Sequence, residues 1–450
     1  MSNDVARPES QQILALNAFD ARRAGQMDAD TARLVERRQR TFGPTSVLFY
    51  ETPMHVVSAS GVWMTTADGQ RYLDVYNNVP SVGHCHPRVV EAIARQAGQL
   101  NTHTRYLYDI IHTYAERLLE TFPAGLDKVT FTCTGSESND LAMRVATAAT
   151  GKRGFIVTDN AYHGNTAAVT DVSPSSMPGK PLPPHVRAVR APDVYHAPTD
   201  DLAGRFAAEV QDAIDSLEAD GIGVAGLLVD TIFSSDGIYA DPAPFLGPAV
   251  AAVHAAGGLF IADEVQPGFG RTGDAMWGFM RHQVTPDIVT LGKPMGNGFP
   301  MGGVVSRTDL LEAFTKSVGY FNTFGGNPVA AAAGLAVLNV IQDEGLVAHA
   351  ADAGQYLRER LRALAGNGHP EIGDVRGAGL YVGVEFVRDP LTREPDPDLA
   401  RRAINGLHKK RVLIGAAGRH GNVLKIRPPL VFSRENADQL VQSLEEVLSI

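Results

Sequence analysis

From residue 87 onward, apolar positions recur at helical spacing in some stretches and run together in others. Helical patterns at 88–100, 108–122, 138–149, 202–219 and 244–256 alternate with short apolar runs at 129–133, 154–157, 224–229 and 259–262. Such short runs, bounded by turn residues, read as buried strands. Strand alternating with helix predicts crossover units on a mostly parallel sheet. The texture differs on either side. Residues 9–40 are helix-like and rich in Arg, and turn-punctuated strands fall between 56 and 73. An Ala-rich helix is expected at 328–341 and another at 346–364. Strands at 379–387, 412–414 and 423–426 and helices at 397–410 and 434–448 follow. The predicted organisation is an N-terminal segment and small lobe over 1–86, a large α/β domain over 87–330 and a C-terminal small domain over 331–450.

Composition narrows the partners. With 450 residues and 44% hydrophobic content, the chain can bury a large core. The net charge is −10 and no Lys/Arg block is present, which argues against nucleic acid or an anionic membrane surface as partner. Two cysteines, Cys85 and Cys133, are too few for a disulfide framework and fit a reducing compartment. The polar start, MSNDVARPES, lacks the basic-then-apolar order of a signal peptide. The longest apolar stretch, 246–262, is broken by Pro248, His254, Gly257 and Gly258, so it reads as core and not as a membrane span. A cytoplasmic protein is expected.

The chemistry concentrates in 259–293. One apolar run delivers Asp263 to a strand end, and a second, 288–291, delivers Lys293. In an open α/β sheet both ends open on the ligand crevice. An acid and a lysine there suit pyridoxal 5′-phosphate: the lysine forms the Schiff base, and the carboxylate keeps the pyridine nitrogen protonated. Alone, the lysine in Gly-Lys-Pro reads more readily as a surface turn and the acid as a cap. A phosphate site is expected at Thr134-Gly135-Ser136-Glu137-Ser138, where a strand gives way to a helix N-terminus. The competing reading is a plain helix cap with Ser136 as the capping residue. Tyr162-His163-Gly164 offers an aromatic for the ring and a glycine that lets the backbone come close. Gly268, Gly270 and Gly273 follow the Asp263 strand without the helix that a dinucleotide fingerprint requires.

With these elements in order, the chain resembles class III (ω-) aminotransferases of the type I pyridoxal-phosphate fold, over about residues 42–448. The matching motifs are YLDVYNNVPSVGHCHP, TGSESND, AYHG, ADEVQPGFGRTG, LGKPMGNG and FNTFGGNPVA. The resemblance implies a large domain with a mostly parallel sheet and a smaller α+β lobe formed by the N- and C-terminal segments. It implies Lys293 as the Schiff-base lysine and Asp263 as partner of the pyridine nitrogen. Val265 and Tyr162, with His163 beside it, would flank the ring, Gln266 would reach the ring hydroxyl, and Gly135 and Ser136 would hold the phosphate. Thr323 would reach the cofactor phosphate of a neighbouring subunit, which implies a homodimer with shared sites.

Two departures bear on reaction type. Where the family usually places a carboxylate-gripping arginine, three residues before a Pro-Pro pair, this chain has Lys425, a point charge without the planar fork. Arg427 is a possible stand-in. Where a Glu is common, within EPxxG, stands Asp230 in VDTIFSSDG. These features most resemble the ethanolamine-phosphate and phosphohydroxylysine phospho-lyase branch, whose substrates carry no carboxylate beside the reacting amine. That resemblance implies proton removal by Lys293 and departure of the adjacent phosphate, leaving acetaldehyde, ammonia and inorganic phosphate from ethanolamine phosphate. Arg105, His84, Asn77, Asn78 and Lys425 are candidates for the substrate phosphate, each with a structural alternative. His84, Cys85 and His86 lack a second Cys/His pair, so no metal site is expected. An ω-transaminase and a pyridoxal-phosphate-binding scaffold without turnover are the competing readings; intact Lys293 and Asp263 argue against the scaffold.

Overall fold

The computed structural model describes residues 17–20, 27–45 and 47–449. At its centre is a seven-stranded sheet in the order Lys128–Thr132, Gly302–Ser306, Ile288–Leu291, Leu259–Asp263, Val224–Asp230, Gly154–Thr158, Val186–Val189. Gly302–Ser306 runs antiparallel to both of its neighbours, and the other six strands share one direction. Strands buried on both faces explain the unbroken apolar runs: Leu259–Asp263, Ile288–Leu291 and Gly154–Thr158 are buried throughout.

The N-terminal strands Val56–Ser60, Trp63–Thr66 and Arg71–Asp74 form a second sheet, closed by Val412–Leu413 from the far end of the chain. A third sheet joins Ile372–Ala378, Tyr381–Phe386, Val423–Ile426 and Gly415–Ala417. The two chain ends therefore build the smaller lobes together, as expected. The expected boundary near 330 cuts into a helix, Pro328–Asp343, started by an Asn327 side-chain cap at 2.9 Å from the Ala330 N–H. Twelve of the 16 residues of this helix are buried, because it packs on Pro87–Ala97 and Asp109–Leu119 as well as on Leu346–Gly366. Helices on both sides of the expected boundary thus share one core through this helix.

The helix-like segment at 9–40 is realised as Ala29–Phe42, with residues 9–16 and 21–26 outside the described residues. Ala18 instead bridges Phe49 as an isolated β pair. Gly302–Ser306, Val186–Val189, Ile372–Ala378 and the helix Thr308–Ser317 had no counterpart in the sequence reading. Glycines weaken the apolar signal of the first and third of these strands. Among the described residues no single helix is long and apolar enough to cross a membrane.

Candidate active site

Asp263 ends its strand in register with Thr290, so the turn Lys293–Gly296 opens beside it at the same sheet edge. The helix Gly135–Thr150 starts there too, after the parallel strand Lys128–Thr132. One edge thus gathers the acid, the amine and a helix N-terminus, the arrangement expected at the carboxyl ends of parallel strands.

Asp263 is buried and accepts three N–H donors: Val265 N on Oδ1 at 3.0 Å, and Asn139 Nδ2 at 3.0 Å and His163 Nδ1 at 2.8 Å on Oδ2. Lys293 is only partly exposed, and burial of its ammonium, reinforced by the Arg427 charge, pushes it down to about 8. Asp230 lies opposite Asp263 in the neighbouring strand, and burial together with the Asp263 charge pushes its carboxyl up. Glu264, wholly buried and raised by burial to about 8, accepts from Gly278 N, Phe279 N and Thr231 Oγ1 and ties the following turn to the sheet.

The helix cap is Thr134, whose Oγ1 accepts from Glu137 N at 3.1 Å. The alternative of Ser136 as the cap is therefore ruled out; its hydroxyl accepts from Asn165 N at 3.1 Å. Gly135 and Ser136 occupy the first turn, where backbone N–H groups lack helical acceptors. The glycines here are steric necessities. A Cβ on Gly135 would lie 2.9 Å from Val265 Cγ2, and one on Gly164, at φ +144°, would lie 2.4 Å from Ser136 Oγ. These contacts bring Val265, Ser136 and the Tyr162-His163-Gly164 turn to one cradle, with Tyr162 half-buried. The residues fit pyridoxal 5′-phosphate: a glycine-lined N-terminus for the phosphate, a carboxylate ringed by donors for the pyridine nitrogen, and an amine kept readily deprotonated.

Gln266 is differently placed from a simple ring contact. Its Oε1 accepts from Asn78 Nδ2 and from Arg427 Nη1, both at 2.7 Å, leaving its amide hydrogens as the donors free for a ring oxygen. Arg427 also lies 4.5 Å from the Tyr76 ring centre, is buried, and keeps a bare Nε. Lys425 is buried, with Nζ 5.9 Å from the Tyr381 ring centre; burial first, then the Arg427 charge, push it well below the usual lysine range. Among the described residues, neither Lys425 nor Arg427 forms an ion pair.

Several expected phosphate ligands are engaged elsewhere. His84 Nε2 lies 2.6 Å from Asp74 Oδ2, and Asn77 Nδ2 donates to both Asp74 oxygens at 3.1 and 3.0 Å, so both serve that buried carboxylate. Arg105 is exposed and stacks 3.8 Å over Phe321. His86 faces Glu344 at 3.2 Å, and Cys85 is exposed. Gly270 and Gly273, at φ +77° and +78°, admit the close approach of Val347 and Ala351. Thr323 is exposed and forms no hydrogen bond to the cradle of its own chain among the described residues. Asn139 and Tyr381 were not singled out from sequence. Asn139 sits inside TGSESND, where the helical repeat from Gly135 places it one turn behind the cradle.

A mostly parallel sheet that presents a lysine, a donor-ringed aspartate and a glycine-lined helix N-terminus at one edge defines a pyridoxal-phosphate-dependent enzyme of fold type I. The aminotransferase class-III family profile matches residues 49–448, and the chain belongs to that family, whose members depend on pyridoxal 5′-phosphate. It is 38% identical over 437 residues to ethanolamine-phosphate phospho-lyase homolog 1 of Caenorhabditis elegans, covering 93% of each chain. It is 40% identical over 428 residues to an alanine–glyoxylate aminotransferase 2-like protein of Drosophila melanogaster, covering 92% of this chain and 86% of that one. Among solved structures, a phospholyase from Arthrobacter in complex with phosphoethanolamine superposes with a TM-score of 0.89 at 46% identity, over 92% of this chain and 99% of that one.

Proposed function

We propose that the protein is a lyase that eliminates phosphate from ethanolamine phosphate or a related phosphorylated amine. The observation that carries this reading is the buried pair Lys425 and Arg427, basic side chains that form no ion pair among the described residues; the Arg427 charge is felt at Lys293, and Lys425 feels both Arg427 and Lys293. Burying unpaired charge is costly, so such a pair fits a site completed by an anion. Lysine's point charge suits a phosphate better than it replaces a bidentate carboxylate clamp. The phosphoethanolamine held by the Arthrobacter phospholyase supports the same substrate class.

The chemistry contributed by bound pyridoxal 5′-phosphate is an aldehyde that condenses with amines and a ring that takes up an electron pair. With the cofactor bound, Gly135 and Ser136 would hold its phosphate, and Asp263 would keep its ring nitrogen protonated. Lys293 Nζ takes the proton from the amine-bearing carbon. The electron pair left there expels the adjacent phosphate as its C–O bond breaks, and Arg427 and Lys425 receive the departing charge. Hydrolysis of the released two-carbon enamine consumes one water and gives acetaldehyde and ammonia.

Two chains would complete each site. Thr323 stands on a surface that also exposes Tyr106, Leu107, Val318, Phe321 and Phe324, an apolar patch that suits burial against a second copy.

The deciding experiment incubates the holoenzyme with ethanolamine phosphate and no keto acid. Continuous release of phosphate, ammonia and acetaldehyde in equal amounts supports the lyase. Turnover that stops after one equivalent and resumes with pyruvate identifies a transaminase instead.

A further inference from the structure

We propose that Asn139 is a positioning residue for the cofactor's ring nitrogen, acting through Asp263. The proposal rests on the site's being a pyridoxal-phosphate site and is independent of which amine is the substrate.

Asn139 has no solvent exposure. Its Nδ2 donates to His163 O at 2.7 Å and to Asp263 Oδ2 at 3.0 Å. Both partners are acceptors, so the amide orientation follows from chemistry: turned over, its oxygen would face two oxygens. The Oδ1 that results is buried without a hydrogen-bond partner, as is His163 Nε2. Bare buried polar atoms are uncommon and costly. An interior filler would not need an amide here; one whose two hydrogens both serve the Asp263–His163 unit does.

The helix gives this contact its meaning. Asn139 lies four residues after Gly135 and three after Ser136 in Gly135–Thr150, on the same helical face. The first turn of that helix would meet the cofactor phosphate, and its second turn grips the carboxylate that would meet the ring nitrogen. A single rigid element therefore sets the spacing between the anchors for the two ends of the cofactor. His163 and Val265 hold Asp263 from the other sides, so loss of Asn139 frees the carboxylate to rotate without removing it.

The test compares holoenzymes of wild type, Asn139→Ala, Asn139→Ser and Val145→Ala. Val145 is equally buried on the same helix, but it lies nearly three turns from the helix start in a hydrophobic cluster, so it reports structural damage alone. Three readouts are taken: the pH titration of the bound cofactor's absorbance, the cofactor dissociation constant, and kcat against KM. Either Asn139 variant should shift the absorbance titration and weaken cofactor binding severalfold. Misaimed by a fraction of an ångström to an ångström, Asp263 should cost up to about 100-fold in kcat with KM little changed. Val145→Ala should lower thermal stability and leave the titration in place. If the Ala variant does not fold, the smaller change to Ser carries the same readouts. Wild-type titration and cofactor affinity in the folded Asn139 variants would overturn the proposal, whatever their stability. The titration needs no substrate, so a wrong substrate assignment leaves the result readable.

Discussion

Arg427 Nη1 donates to Gln266 Oε1 at 2.7 Å, and that bond joins the C-terminal lobe to the turn that follows Asp263. Asn78 Nδ2 of the N-terminal lobe meets the same oxygen at 2.7 Å. Three parts of the chain thus converge on one amide beside the cofactor cradle. Any shift of the terminal lobes against the large domain is felt at Gln266.

Arg427→Gln should weaken substrate binding and also slow the chemistry of bound substrate, because the same side chain would hold the phosphate and receive its departing charge. Arg427 keeps a bare Nε and is buried, so in the proposed site it would face the substrate phosphate. Hydrogen bonds to charged groups contribute about 1.5–3 kcal/mol, so KM for ethanolamine phosphate should rise roughly 10- to 150-fold. Arg427→Lys should recover part of the loss, because charge returns without the planar fork. Steady-state kinetics at fixed ionic strength decide it. An unchanged KM in both variants would place the substrate phosphate elsewhere.

Lys293→Ala should abolish turnover, and in the wild type borohydride should fix the cofactor on Lys293, as peptide mass mapping would show. The pH dependence of loading follows from the same side chain. Burial and the Arg427 charge set Lys293 at about 8, and the neutral amine is the form that attacks an aldehyde. Deprotonation grows as pH rises, so the rate at which cofactor-free protein takes up pyridoxal 5′-phosphate should climb from pH 7 to 9 with a midpoint near 8. A rate flat across that window, or an adduct on another lysine, would contradict the assignment.

Much of the site was legible because strand ends in a parallel sheet carry a periodic signature. The runs ending at Asp263 and Leu291 are buried on both faces, so they stand out from polar surroundings, and the residues just beyond them reach the crevice. The partners of those residues were less legible. His84 and Asn77 look like free donors in a string, yet both are committed to Asp74, whose burial no local pattern announces. Arg105 looks like an anion ligand but stacks on Phe321, more than 200 residues away in sequence. Asn139 was overlooked for the opposite reason: a polar residue early in a helix reads as a cap until Asp263 is placed against it. The strand Gly302–Ser306 begins with two glycines, which hide its apolar residues from a period-based reading.

Thr323→Ala should lower cofactor affinity in a manner that a second chain can repair. Its exposure places it away from the interior of its own subunit, on the same apolar surface as Phe321 and Phe324. Mixing Thr323→Ala with inactive Lys293→Ala chains should restore partial activity, because one composite site of each heterodimer has both residues intact. Mass-verified subunit exchange with no recovery would mean that the sites are not shared.

The last prediction concerns pH and the seam between the large domain and the C-terminal sheet. His196 Nδ1 lies 2.8 Å from Asp193 Oδ2 and its Nε2 lies 3.2 Å from Glu385 Oε1, so both ring nitrogens face carboxylate oxygens. Only the imidazolium can donate to both. The hydrogen bond to Asp193 raises His196, burial opposes it, and the Glu385 charge raises it further, while the nearby Arg376 acts against these. Asp193 is pushed up by burial, but bonds from His196 and from Tyr239 outweigh that and hold it at about 2, so it stays ionised across the working range. The folded-state value of His196 thus lies above its unfolded value of 6.5. The bridge's contribution is fully present below pH 6.5 and is lost as pH rises through the folded value. A partly exposed bridge is worth about 1 kcal/mol or less, or roughly 1–2 °C in Tm for a chain of this size. Wild type and His196→Gln should therefore differ most in thermal unfolding near pH 6 and converge toward pH 9. A difference that persists unchanged to pH 9 would show that His196 supports the seam by packing and not by charge.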